Sequence, residues 1–151
     1  MTKSSASSGR IVAIATLVAM LGVTPSQAVE VTDLKGFEAL FGRYAPAGDC
    51  GRQPQIVVDV SGMTFEVAGK SEKVTNPEYA ASYGPADYSG SSQWFFPFRI
   101  PNGYPILMTF NYDEMPGVLA IEAQDEGYPG GPKLTPRDQA LVGGSPYQRC
   151  K

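Results

Sequence analysis

Between Gln55 and Val67 the apolar side chains fall at every second position. Ile56, Val58 and Val60 alternate with Val57 and Asp59, and after Ser61-Gly62 the series Met63, Phe65 and Val67 alternates with Thr64 and Glu66. Successive side chains of a strand point to opposite faces, whereas a helix would scatter this pattern around its circumference. Residues 55 to 68 are therefore expected to form a tight β-hairpin. The alternation returns at Trp94, Phe96, Phe98 and Ile100, which are expected to share one face of a strand over 93 to 100. After the turn Pro101-Asn102-Gly103 it continues at Tyr104, Ile106, Met108, Phe110 and Tyr112. Two further strands are expected over Ser71 to Thr75 and Val118 to Gln124, the latter with Leu119, Ile121 and Ala123 toward the core. Pro97 and Pro105 have no N–H to give a ladder, so each marks an edge, a bulge or a strand start.

Gly and Pro, 17 and 13 of the 151 residues, disfavour a helical bundle and supply the turns that such a sheet needs. Two short helices remain. Leu34, Phe37, Leu40 and Phe41 recur at spacings of three and four between Asp33 and Gly42, and Thr135-Pro136 makes an N-cap and first-turn pair for a helix to about Val142, stopped by Gly143-Gly144. The expected fold is α+β and β-rich: a curved antiparallel sheet or partial barrel of about six strands, with short N- and C-terminal helices, closed by one disulfide.

Residues 1 to 28 read as a secretory leader. Lys3 and Arg10 form a positive start, Ile11 to Val23 an apolar run, and Thr24-Pro25-Ser26-Gln27-Ala28 a small-residue exit, with cleavage expected after Ala28. The apolar run is shorter than the roughly 20 residues that span a bilayer. Residues 29 to 151 are thus expected to be a single globular domain, periplasmic or secreted, with no membrane span once the leader is removed. In an oxidising compartment Cys50 and Cys150, the only cysteines, are expected to pair.

The leader carries two of the 12 basic residues and none of the 15 acidic ones, leaving a net charge of −5 on the remainder. That balance repels a phosphate backbone, so no nucleic-acid partner is expected. Histidine is absent. Its absence excludes Ser-His-Asp and Cys-His relays and histidine-ligated metals. Neither a cofactor fingerprint nor a phosphate loop is present.

Chemistry of interest concentrates in two places. The segment Pro77 to Trp94 sets Tyr79, Tyr83, Tyr88 and Trp94 among Gly, Ser and Pro, with few aliphatic neighbours. Tyrosine joins a flat apolar face to a hydroxyl at small entropic cost, which suits docking in a protein groove or stacking on a sugar ring. The competing role for these rings is to pin a long loop over one end of the sheet. Acidic turns form the second place: Asp113 and Glu114 after one strand, and Glu122, Asp125 and Glu126 at the end of another. They lack the spacing of a calcium loop and are expected to be solvated rather than metal ligands. Of Arg43, Arg52 and Arg99, the last lies on the face of its strand opposite Trp94 and Phe98 and is a candidate for a ligand carboxylate or, more simply, for an ion pair with an acid of a neighbouring strand.

The expected function is non-enzymatic: an extracytoplasmic binding protein that uses Tyr79, Tyr83, Tyr88, Trp94, Asp113 and Glu114 to engage a partner protein or cell-wall glycan. An inhibitor of a basic secreted enzyme such as lysozyme is one form of this. The general format of an acidic secreted β-domain with one disulfide is similar to that of bacterial periplasmic lysozyme inhibitors, although none of their motifs is present. The alternatives are a small glycan hydrolase built on a pair among Asp113, Glu114, Glu122, Asp125 and Glu126, and a structural envelope protein that self-associates through an edge beside Pro97 or Pro105.

Overall fold

The computed structural model describes residues 28–80, 83, 87–124 and 129–151. The expected leader, apart from Ala28, lies outside the described residues, as do Asp125 and Glu126. In chain order the elements are β1 (Val29–Glu30), β2 (Gly42–Pro46), β3 (Gln55–Asp59), β4 (Gly62–Val67), β5 (Lys70–Val74), β6 (Glu78–Tyr79), β7 (Gln93–Phe96), β8 (Ile106–Phe110), β9 (Val118–Ala123), α1 (Pro136–Gly143) and β10 (Tyr147–Arg149).

All ten strands of the described residues belong to one antiparallel sheet in the order β1-β6-β7-β8-β9-β10-β2-β3-β4-β5, curled into a half-barrel. The count exceeds the six expected because β1, β2, β6 and β10 escape any periodicity argument. Two of them have two residues, β10 has three, and β2 begins at Gly42 and ends at Pro46. Segments this short are strands only because a partner is already in place. The hairpin expected over 55 to 68 is β3 and β4, paired from Gln55↔Glu66 to Asp59↔Gly62.

The expected N-terminal helix is absent. Gly36 takes a left-handed φ of 89°, which interrupts the run, and only a single turn of 3-10 helix forms at Glu38–Leu40. The Leu34 amide donates to the Val60 carbonyl at 3.0 Å, so this segment is tied to the β3–β4 turn instead of to itself. Leu34 and Leu40 are still buried, as the stripe implies. The helix at the other end is α1, opened by a capping box between Thr135 and the fully buried Asp138.

The phase expected for β7 is inverted. Phe95 lies in the main core with Met108 as its cross-strand partner, while Trp94 pairs with Thr109 on the opposite face. Trp94 and Phe96 join a second, smaller apolar cluster with Ala80, Leu107 and Tyr104. Of the four residues expected on one face, Phe98 packs into the main core beyond the strand's end. Alternation misreads β7 because apolar groups cover both sides of this part of the sheet, and all five residues of β8 are buried. Pro97 follows the last residue of β7 and Pro105 precedes the first of β8. Neither is at an edge, for β7 and β8 each have two neighbours. The edges are β1 and β5, so self-association beside either proline loses its basis.

The main core is formed by Tyr44, Ile56, Phe65, Phe95, Phe110 and Tyr147, among others. Its two tyrosines spend their hydroxyls on backbone: Tyr44 donates to the Leu40 carbonyl at 2.8 Å and Tyr147 to that of Leu141 at 2.6 Å. Cys50 and Cys150, 100 residues apart, are joined by a disulfide just beyond the paired strands β2 and β10. No described helix is long and apolar enough to cross a membrane.

Candidate recognition site

The turn after β8 is built around three non-glycine residues in the left-handed region, Asn111 (φ 51°), Asp113 (φ 51°) and Glu114 (φ 60°). Such backbone costs free energy and persists only where the surroundings over-determine it. Here the surroundings are residues 88 to 92. Asn111 donates from Nδ2 to the Ser91 carbonyl at 3.0 Å and accepts from the Gly117 amide at 3.2 Å. Glu114 accepts from the Tyr88 hydroxyl, from the Ser91 amide at 2.5 Å and hydroxyl at 2.8 Å, and from the Ser92 hydroxyl at 3.3 Å. Hydrogen bonds to the charged form favour it. The Tyr88 hydroxyl, followed by the Ser91 amide, holds the Glu114 carboxyl at about 2, far below its ordinary 4.5.

The same bonds place the Tyr88 ring. Its oxygen also accepts from the Ser92 amide at 2.7 Å, and its ring stands edge-on to Trp94 with centroids 5.0 Å apart. Tyr83 packs edge-on to Phe96 at 5.8 Å and lies 6.2 Å from Trp94. Tyr83 is 47% exposed and Tyr88 36%. Thus Tyr83, Tyr88, Trp94 and Glu114, four of the expected site residues, are gathered on the sheet face opposite the main core.

Two others are not part of this group. Tyr79 turns to the core side, where its ring packs on Phe37 and Phe95 at 5.0 and 5.2 Å and its hydroxyl donates to Gln93 at 2.6 Å. Its place is that of a packing residue, because β6 pairs Tyr79 with Phe95 and so gives it the core-facing phase. Asp113 is exposed and makes no bond to the network. Sequence reasoning missed Gly90, Ser91, Ser92 and Asn111. A Cβ on Gly90 would run into the Glu114 carboxylate and the Tyr88 ring and hydroxyl, so only glycine lets the loop close over the carboxylate. The signal available in the sequence was a run of small polar residues directly after a tyrosine.

Of Arg43, Arg52 and Arg99, Arg52 is exposed and outside any ion pair among the described residues, and the other two are paired. Arg99 lies 3.3 Å from Glu78, whose other oxygen accepts from the Tyr104 hydroxyl and pushes that phenol upward. Arg43 bridges Glu66 at 2.9 Å and also donates to Gln55. A cavity of about 390 Å³ lies between the β4–β5 hairpin and the start of α1, lined by Phe65, Val67, Lys70, Pro136 and Ala140. Its Arg137 is committed to Glu72 at 2.6 Å and Asp138 at 2.7 Å, with its guanidinium 3.4 Å above the centre of the Phe98 ring. Among the described residues no three His, Cys, Asp or Glu side chains gather as metal ligands. Comparison with protein-family models, curated proteins and solved structures finds no match to this chain.

Proposed function

We propose that this chain is a non-enzymatic, extracytoplasmic binding protein that docks a partner protein on the surface formed by Tyr83, Tyr88 and Trp94. The observation that carries the reading is the Glu114 clamp. An exposed aromatic ring that merely covers a sheet needs no fixed orientation, whereas the Tyr88 ring is held through an oxygen that donates to Glu114 and accepts from the Ser92 amide, and Glu114 is itself fixed by Ser91, so the ring is ordered before any partner arrives. Ordering a side chain in advance removes part of the cost of association. The cysteine pair favours an oxidising compartment, in line with the secretory leader expected at residues 1 to 28.

A protein suits this surface better than a glycan. Sugar sites combine stacking with free hydrogen-bonding groups, but the Tyr88 hydroxyl and both Glu114 oxygens are already engaged with each other and with Ser91 and Ser92. Exposed Met115 directly follows Glu114, and Tyr, Trp and Met are enriched at protein interfaces. As a general acid, Glu114 is poorly suited, since such a group needs a raised pKa and this one is depressed.

The test is affinity capture from envelope and secreted extracts with residues 29 to 151, disulfide intact, beside the Tyr83→Ala/Tyr88→Ala variant. A protein retained only by the wild type, with the variant still melting as a cooperative fold, is the expected result. Retention of glycan instead of protein, or identical capture by both domains, overturns the reading.

A further inference from the structure

The charges of this domain are segregated along the strand order of the sheet. Residues 75–132 supply β6, β7, β8 and β9, four adjacent strands. They contain one basic residue, Arg99, against seven acidic ones: Glu78, Asp87, Asp113, Glu114, Glu122, Asp125 and Glu126, a net of −6. The rest of the chain after Ala28 has nine basic and eight acidic residues, a net of +1. Asp125 and Glu126 lie outside the described residues; the other five acids against Arg99 leave a net of −4 on one side of the half-barrel. Its single cation adds nothing free, because Arg99 is paired with Glu78. The aromatic surface lies in that acidic part, with exposed Asp87 preceding Tyr88 and exposed Asp113 preceding Glu114.

Two kinds of negative potential thus coincide. The face of an aromatic ring attracts a cation through its quadrupole. Fixed carboxylates add a field that reaches about a Debye length, roughly 10 Å at 0.1 M salt. A net charge spread evenly over the molecule would serve solubility alone, but a region of −4 among the described residues beside a region of +1 gives the molecule a direction. We propose that the partner docked on Tyr83, Tyr88 and Trp94 is a basic protein, and that it lays a Lys or Arg side chain on the Tyr88 and Trp94 rings while Asp87 and Asp113 draw it in. This rests on the docking reading above and names the chemistry of the partner.

Trp94 is the only tryptophan in the chain, so its emission reports on this surface directly. The probe is a tryptophan-free peptide rich in Lys and Arg, titrated into the disulfide-intact domain beside an acidic peptide of equal length. The expected result is a saturable change in Trp94 emission with the basic peptide only. Apparent affinity should fall by roughly tenfold between low salt and 0.5 M, as for other interactions between exposed charges. The variant Asp87→Asn/Asp113→Asn, which alters exposed side chains only, should weaken binding severalfold and leave the emission of the free domain unchanged. Equal response to both peptides, a salt-independent affinity, or no response to the basic peptide overturns the proposal. The two readings fail separately. A partner captured through Tyr83 and Tyr88 that ignores both salt and the Asp87→Asn/Asp113→Asn change leaves docking intact and removes the charge argument. Binding of the basic peptide undiminished by Tyr83→Ala/Tyr88→Ala overturns both.

Discussion

Tyr88 and Glu114, 26 residues apart, are joined through the phenol hydroxyl, which donates to the carboxylate while accepting the Ser92 amide. This one oxygen connects the loop before β7 to the left-handed turn after β8, and it fixes the ring that stands against Trp94. The recognition surface is therefore assembled by polar bonds at its rim as well as by the packing of Trp94 and Tyr83 on the second apolar cluster.

Removing the hydroxyl separates the ring from its orientation. Tyr88→Phe keeps the apolar area, so the domain should stay folded and lose only the stability that the hydroxyl's two bonds supply. Captured partner should nevertheless dissociate faster, because order must then be imposed on binding. Dissociation rates from a sensor surface check this, and an unchanged rate shows that the clamp has no part in recognition. Gly90→Ala should reproduce the effect from a residue that has no side chain to lose.

Acid should release the clamp. The folded-state value of Glu114 lies at about 2, below its ordinary 4.5, so its contribution to stability is complete above the ordinary value and is lost as pH falls from there to about 2. Glu114→Gln lacks this titration. The difference in melting temperature between wild type and Glu114→Gln should be constant above about pH 5 and close as pH approaches 2. Parallel melting curves across that range would contradict it.

At the other end of the pH scale, burial pushes the Tyr147 phenol upward, while the unfolded chain ionises near 10. A raised folded value favours the fold below the unfolded value and loses that contribution as pH rises beyond it. Tyr147→Phe should therefore cost about 1 kcal/mol at neutral pH, where the bond to the Leu141 carbonyl is lost. The gap between variant and wild type should narrow in alkali, as denaturant midpoints at pH 7 and pH 11 will report.

Opening the disulfide frees a loop of 100 residues. The chain-entropy model gives about 4.7 kcal/mol for a loop of this length. Cys50→Ser/Cys150→Ser should lower the denaturant midpoint by a correspondingly large step. Circular dichroism in the absence of denaturant should show whether the remaining domain keeps its strands, and an unmoved midpoint would mean that the loop is already closed in the unfolded chain.

Edge strand β5 reads Lys70-Ser71-Glu72-Lys73-Val74, and its first four residues are exposed. Charges of this kind keep an edge from pairing with another chain. Lys70→Thr/Glu72→Thr/Lys73→Val should produce dimers or larger species in sedimentation at concentrations where the wild type sediments as a smaller particle. Arg137 also loses its Glu72 partner in that variant, so Glu72→Thr alone serves as the control.

Legibility in the sequence followed the number of residues that a pattern has in which to repeat. The β3–β4 hairpin and α1 declare themselves, the first by alternation and the second by the Thr135-Pro136 start. Four strands of two to five residues did not, because their pairing is decided by neighbours far along the chain. Phe95 shows a different failure: in a strand covered on both faces each phase looks apolar, and only its register with Met108 tells which side holds the core. Of the site, the aromatic residues and Glu114 were visible as types out of place in a loop. Their meeting was not, since it depends on backbone at Asn111, Asp113 and Glu114 that no residue preference announces.

The place of β10 has a consequence for the order in which the molecule can be made. Tyr147–Arg149 is the last of the described strands, yet it lies inside the sheet, hydrogen-bonded to β9 on one side and β2 on the other. Before it arrives, the sheet is two separate pieces, β1-β6-β7-β8-β9 and β2-β3-β4-β5, each with an open inner edge. A chain emerging N-terminus first from a ribosome or a secretion channel is thus held short of its native state until Tyr147–Arg149 has emerged. Completion of the fold is then a seam closed in a single late event, and the cysteine that locks it is the residue immediately after the strand.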